Sequence, residues 1–381
     1  MENRLLQWVE IDSSALVHNI RQFKRLIGKE KLFMAMVKAN AYGHGIAEVA
    51  ELAFRAGVDW LGVHSLEEGL ILRKKKINCP ILVAGYIPLS DLRNAIEHDL
   101  RLTVYNLETL KKLAELSAHF KKKAYLHLKI ETGTHRQGIR EEDVLAFVQK
   151  ISQYPGIVLE GLSSHFANIE DTTDHSYARY QLENFQRISR ILEERGIEIP
   201  IRHTACTAAS ILFPETHFDM VRIGIGLYGL WPSKETYLSC LLQNRKPIRL
   251  RPVLSWKTRI AQIKKVSKGA FIGYGCTYRT TREARIAVLP VGYYDGYSRT
   301  FSNVSYVLIK GQRAAVRGRV AMDFIMVDVS DIPRIRVEEE AVILGKDGSE
   351  RITADHLAAL AGTINYEILT RINPLIPRII V

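Results

Sequence analysis

The sequence predicts an α/β protein: an N-terminal (β/α)8 barrel of the TIM type followed by a mostly β C-terminal domain. Two observations carry the barrel. Between about residues 30 and 230, eight short runs rich in Val, Ile and Leu alternate with longer segments of helical periodicity, the pattern of βα units feeding a parallel sheet. A doubly wound sheet, the competing architecture, usually carries a Gly-x-Gly-x-x-Gly turn after its first strand, and none is present there. A third observation carries the second domain: beyond about residue 245, short β runs are separated by Gly, Asp and Ser turns.

The eight runs are LFMAMVK (32–38), WLGVHS (60–65), PILVAG (80–85), RLTVYN (101–106), AYLHLKIE (124–131), LEGLSSHF (159–166), IRHTA (201–205) and MVRIGIGLYG (220–229). Segments such as GIAEVAELAFRAG, SLEEGLILRKKK and NLETLKKLAELSAHF lie between them as helices, the last two opened by a Ser or Asn suited to an N-cap. Segment 231–248 has no clear period and reads as the connection. Domains are therefore expected over residues 1–240 (barrel) and 241–381 (mostly β).

With 381 residues, 47% of them hydrophobic and 25% charged, the chain has the profile of a globular protein and not of a disordered one. A formal charge of +12 raises the question of a nucleic-acid or membrane-surface partner. The excess is dispersed, however, and the runs Lys74-Lys75-Lys76 and Lys121-Lys122-Lys123 fall at expected helix ends without interleaved aromatics, so they read as solvated faces. Four cysteines (Cys79, Cys206, Cys240, Cys276) show no zinc spacing, so no metal site is expected, and free thiols fit a reducing compartment. The start, MENRLLQWVEIDSSA, lacks the apolar core of a signal peptide, about 7–15 residues, and no stretch reaches the roughly 18 uninterrupted apolar residues of a membrane span. A cytoplasmic location is the expectation.

Active sites of such barrels sit at the carboxyl ends of the strands. There the sequence places Lys38, closing the first run and followed by a Gly-punctuated turn, then Lys129 with Glu131 and Arg136, His165, His203, and Arg222 with Gly224. A lysine desolvated in this position is suited to Schiff-base chemistry. Taken singly, each is an ordinary rim or core residue: a snorkelling lysine, a satisfied histidine, a structural Lys129–Glu131 pair. Their recurrence at five strand ends is what singles them out.

VKANAYGHG, RIGIGLYG, IGYGCTY and GRVAMDFIMVDV, in this order, resemble the bacterial alanine racemases, fold-type III enzymes dependent on pyridoxal 5'-phosphate; matching motifs span residues 9 to 377. The resemblance implies that Lys38 holds the cofactor as a Schiff base, and that Tyr42, Thr207, Gly224, Ile225 and Tyr366 receive its phosphate. Arg222 then faces the pyridine nitrogen, with His165 and His203 also among the cofactor-binding positions. It further implies two opposed bases, Lys38 for the D enantiomer and Tyr274 for the L enantiomer, with His165 and Arg222 as the charged network that favours a phenolate at Tyr274. Arg136 and the backbone of Met322 match the substrate-carboxylate positions, with Tyr293, Asp323 and Arg299 near the mouth or interface. Lys129 matches a lysine that can carry a carbamate, although Glu131-Thr132-Gly133-Thr134-His135-Arg136 departs from the more usual DTGMGR. Thr207 stands where Ser is more usual and Cys206 where Asn is.

The expected function is alanine racemisation supplying D-alanine for peptidoglycan, by a homodimer whose sites are each completed by the partner's β domain. Tyr366 and Met322 match size-limiting residues, which favours alanine over serine or a basic amino acid. A non-catalytic cofactor-carrying homeostasis protein would resemble the barrel half alone, and a barrel decarboxylase would need an acidic partner for the pyridine nitrogen.

Overall fold

The computed structural model describes residues 5–381. By its internal contacts the chain divides into two units. One comprises residues 14–41 and 49–252; the other, up to Ser13, residues 42–48 and 253–381. The first is the barrel. The chain opens with strand β1 (Gln7–Ile11), and the barrel strands follow: β2 (Leu32–Met36), β3 (Trp60–Val63), β4 (Ile81–Val83), β5 (Arg101–Val104), β6 (Ala124–Lys129), β7 (Ile157–Ser163), β8 (Ile201–His203) and β9 (Met220–Ile223). All eight expected runs form strands, and they pair in parallel in the order β8-β7-β6-β5-β4-β3-β2-β9. No strand ladder joins β8 to β9. Backbone bonds from Asp219 N to Arg202 O (3.1 Å) and from Arg222 N to Ala205 O (2.9 Å) nevertheless cross that seam.

Local chemistry explains the helices that cover the barrel. In helix Ser13–Ile27, Leu16, Ile20, Phe23 and Ile27 recur at three- and four-residue spacing and are buried, each such side chain contributing about 1.5–3 kcal/mol. Helix Leu66–Lys74 begins with a reciprocal cap between Ser65 and Glu68, and helix Leu107–Phe120 with Asn106 accepting from Thr109 N at 2.8 Å, a bond contributing about 1 kcal/mol. The two lysine runs fall at the ends of these helices, where Lys76 and Lys121 adopt left-handed conformations.

Segment 231–248, expected to be an irregular connection, contains helix Lys234–Leu242, with Ser233 as its cap. Its pattern is inverted: Thr236, Ser239 and Cys240 are buried while Tyr237, Leu238, Leu241 and Leu242 are exposed, so apolar spacing does not reveal it.

The second unit is mostly β, as expected, with strands β10 (Leu254–Arg259), β11 (Gln262–Val266), β12 (Phe271–Ile272), β13 (Tyr278–Arg279), β14 (Ala284–Leu289), β15 (Tyr306–Ile309), β16 (Gln312–Ala315), β17 (Ile325–Asp328), β18 (Glu340–Asp347), β19 (Glu350–Ile352) and β20 (Arg378–Ile380). Its largest sheet runs β16-β15-β18-β10-β1-β20, with β19 on β18. Strand β1 thus lies within a sheet of otherwise C-terminal strands, antiparallel to β10 (Val9↔Trp256) and parallel to β20 (Glu10↔Ile379). The break in the chain falls at Pro252/Val253, beyond the expected boundary at 240/241, because residues 241–252 remain with the barrel unit. Their ties are visible at Asn19, whose side chain exchanges hydrogen bonds with Arg251 O (2.8 Å) and Arg251 N (2.9 Å). Among the described residues no helix is long and apolar enough to cross a membrane.

Candidate active site

Lys38 follows β2 after Val37, and after it Ala39, Asn40, Ala41 and Tyr42 all take left-handed backbone angles, with φ of 54°, 53°, 53° and 52°. Such a turn costs roughly 1–2 kcal/mol per residue outside glycine, and backbone strain of this kind concentrates at functional sites. Glu68 helps to hold it: its carboxylate accepts from Ala39 N (2.6 Å) and from His64 N at the end of β3 (2.8 Å). Burial lowers the pKa of the Lys38 amine, and the Arg136 charge lowers it further against the opposing pull of Glu68.

The barrel mouth gathers cations with few counter-charges. Burial, followed by the charges of Arg222 and Arg136, holds Lys129 well below an ordinary lysine. The same kind of environment keeps His165 neutral: burial first, then Arg222, Lys129, Arg136 and Lys38. His203 is likewise held neutral by burial and Arg222. Lys38, Lys129, Arg136, His165, His203 and Arg222 thus form one electrostatic cluster in the barrel unit.

Arg222 is its centre. Nη1 donates to His203 Nδ1 (2.6 Å) and His203 O (2.8 Å). Nη2 donates to Ser164 O (2.8 Å) and Thr204 O (3.0 Å) and lies 3.3 Å from His165 Nδ1. Burial brings its pKa down to about 10, so it stays charged at neutral pH. With both Nη groups engaged, Nε–H is the donor that remains for a ligand, and guanidinium offers no acceptor at all.

Thr207 opens helix Thr207–Leu212, and its Oγ1 accepts from Gly224 N (3.0 Å) and Gly226 N (3.4 Å). A hydroxyl set beside backbone amides is a donor set suited to phosphate oxygens. Cys206, at the N-cap of that helix, makes no capping bond. Its thiol lies 3.7 Å from Glu170 Oε1, and burial, reinforced by Glu170, pushes its pKa up to about 12, so it stays protonated.

The loop 131–136 folds around its own acid. Glu131 Oε1 accepts from Gly133 N (2.5 Å) and Thr134 N (2.6 Å). Helix Ser176–Glu194 braces the loop through Tyr177 OH to Gly133 O (2.7 Å) and Asn184 Nδ2 to Thr132 O (3.3 Å). Glu131 is therefore committed to these amides and not to a structural ion pair with Lys129. His135 sits in a left-handed conformation (φ 52°), where DTGMGR supplies glycine.

Ile225, buried next to Gly224, belongs to the barrel unit, and the remaining expected residues lie in the second unit. Tyr42 and Tyr366 pack ring against ring, with centroids 6.0 Å apart. Tyr274 occupies a turn between Gly273 (φ 71°) and Gly275 (φ 70°), backbone angles that a side chain would resist, and it is 74% exposed. Met322 is exposed on a segment held to Tyr293 and Tyr294 by bonds from their amides to Ala321 O and Met322 O, both 3.0 Å. Sequence reasoning passed over Glu68, His127 and Glu160. His127 carried a signal: it precedes Lys129 by two residues in a strand, so the two share a face.

Residues 11–232 match the family model "Alanine racemase, N-terminal domain" and residues 253–380 match "Alanine racemase, C-terminal domain". The chain is 43% identical over 371 residues to the alanine racemase of Halothermothrix orenii, covering 97% of this chain and 96% of that one. Among solved structures it resembles alanine racemase from Clostridium difficile 630, with a TM-score of 0.93 and 36% identity over 100% of this chain and 97% of that one. It also resembles histidine racemase from Leuconostoc mesenteroides subsp. sake, with a TM-score of 0.90 and 30% identity over 100% and 99% of the two chains. On the strength of both halves matching in order over nearly its whole length, this chain belongs to the alanine racemase family.

Proposed function

We propose that this chain is a pyridoxal-phosphate-dependent alanine racemase that interconverts L- and D-alanine in the cytoplasm, supplies D-alanine for peptidoglycan, and works as a homodimer with shared sites. The observation that carries the reading is the cluster of Lys38, His165, His203 and Arg222, with the Thr207 hydroxyl and the Gly224 amide in the same unit. The donor set fits the cofactor: an amine of lowered pKa for the aldehyde, one remaining guanidinium N–H for the ring nitrogen, and a hydroxyl with amides for the phosphate.

Lys38 would hold the cofactor, with His165 and His203 flanking Arg222 and with Thr207, Gly224, Ile225, Tyr42 and Tyr366 receiving the phosphate. Bound there, it supplies an electron-withdrawing imine that makes the α-proton of an amino acid removable. Arg222 donates a hydrogen and delivers no proton, because a guanidinium of pKa about 10 stays charged. This tempers the electron withdrawal and disfavours side reactions. Lys38 Nζ, once free, takes or returns the proton on one face, and Tyr274 Oη of the partner chain serves the opposite face.

Arg136 and the Met322 backbone bind the carboxylate. Lys129, whose lowered pKa favours the free amine, is the form that accepts carbon dioxide as a carbamate. The 74% exposure of Tyr274 supports its completing a partner's site. Relatives named as alanine racemases at about 40% identity favour alanine as the substrate, while the likeness to a histidine racemase makes histidine the control to include.

The test is a racemisation assay across the L-amino acids, histidine included, with and without added pyridoxal phosphate, coupled to borohydride reduction. Alanine is expected to turn over fastest and only with cofactor, with the label fixed on Lys38. Faster turnover of another amino acid, or label on another lysine, would overturn the assignment.

A further inference from the structure

Behind Arg222 a line of polar side chains runs into the barrel. His203 Nδ1 accepts from Arg222 (2.6 Å), His203 Nε2 lies 2.8 Å from His127 Nδ1, and His127 Nε2 lies 3.3 Å from Glu160 Oε2. Arg101 Nε is 3.4 Å from the same oxygen. Five residues thus come from five neighbouring strands, β5 to β9.

The backbone is shaped around this line. Between β6 and β7 the register runs Leu126↔Leu159 and then His127↔Gly161, so Glu160 is the extra residue of a bulge, the device that re-aims a side chain. Any side-chain carbon at Gly161 would collide with the His127 ring. Trp60 packs edge-on with that ring, with centroids 5.3 Å apart, and Arg101 lies over Tyr125 at 4.6 Å. His127 and His203 are fully or almost fully buried, at 0% and 1% exposure.

The hydrogens can be arranged in one way only. Arg222 is a pure donor and a carboxylate a pure acceptor. His203 must therefore accept at Nδ1 and donate from Nε2, and His127 must accept at Nδ1 and donate from Nε2 to Glu160. Both imidazoles are then neutral, in agreement with the downward shift that burial imposes on each.

We propose that Glu160 and His127 are positioning residues that, through His203, fix the placement of the Arg222 guanidinium and hence of its remaining Nε–H. The proposal rests on the cofactor reading above only for what that Nε–H meets. Glu160 acts by terminating the chain with an acceptor, so the His203 lone pair always faces Arg222 and neither ring is free to rotate.

The test combines histidine-selective 15N spectra of the apoprotein with two variants. In the wild type, His127 and His203 are expected as neutral Nε2–H tautomers at neutral pH; an Nδ1–H tautomer or an imidazolium at either would overturn the proposal. This readout needs neither cofactor nor turnover, so it survives a failure of the racemase assignment. Glu160→Leu removes the acceptor and is expected to give mixed tautomers, with cofactor affinity and kcat lowered about tenfold to a hundredfold, as for other partners that orient a ligand group, and KM little changed. Glu160→Gln keeps an acceptor oxygen and is expected to retain the wild-type tautomers and most of the affinity and kcat. Unchanged affinity and kcat in Glu160→Leu, or equal loss in both variants, would overturn the proposal.

Discussion

Histidines 127, 165 and 203 are held neutral in the folded barrel chiefly by burial, reinforced by Arg222 at His165 and His203 and opposed by Glu160 at His127, and this has a measurable cost in acid. In the unfolded chain they bind protons near pH 6.5, whereas the folded chain resists doing so. Above about pH 6.5 neither state is protonated and no penalty exists; below it the unfolded state binds more protons, and stability falls by up to about 1.4 kcal/mol per pH unit for each group, down to its folded pKa. The melting temperature of the apoprotein is therefore expected to drop steeply between about pH 6.5 and 5, and His203→Gln to flatten the slope. A flat profile over that interval in the wild type would contradict the buried neutral assignment. Lys38, His165, His203 and Arg222 were legible in the sequence because each closes or follows an apolar run at a known functional edge. Glu160 was not, since it owes its direction to a bulge that no residue pattern announces, and His127 was marked only by the face it shares with Lys129, because it sits mid-strand, away from that edge.

Helix Thr207–Leu212 begins at a residue unsuited to beginning a helix. Cys206 occupies its N-cap without capping it, and asparagine is among the best residues for that position. Cys206→Asn is expected to raise stability by about 1 kcal/mol, read as a higher melting temperature; an unchanged or lower one would show that the Glu170 contact outweighs the cap. Strands β2 to β9 could be read from apolar runs because burial on both faces leaves little room for polar residues. Helix Lys234–Leu242 could not, because its small polar residues face inward. The placement of β1 was equally hidden, since its neighbours β10 and β20 lie more than 240 residues away in sequence, and a five-residue run carries no record of so distant a pairing.

For the whole molecule, the shared-site proposal separates the two bases onto different chains. Mixed Lys38→Ala and Tyr274→Phe subunits are expected to regain activity on exchange, up to roughly a quarter of the wild-type level per total site, because half of the pairs are mixed and one of their two sites receives both bases. Proven exchange without recovery would sink the shared site. Tyr274→Phe alone is expected to slow proton removal from L-alanine more than from D-alanine, visible as unequal deuterium incorporation from heavy water, and equal loss would count against opposed bases.

The position of β1 also sets an order of events during synthesis. Made well before its neighbours, it must wait for β10 and then for β20 before both of its edges are covered. Until then a short strand with Trp8, Val9 and Ile11 stands with open hydrogen-bonding edges while the barrel forms behind it. A chain released as far as residue 252 but short of residue 378 therefore has a barrel that can close and a largest sheet that cannot.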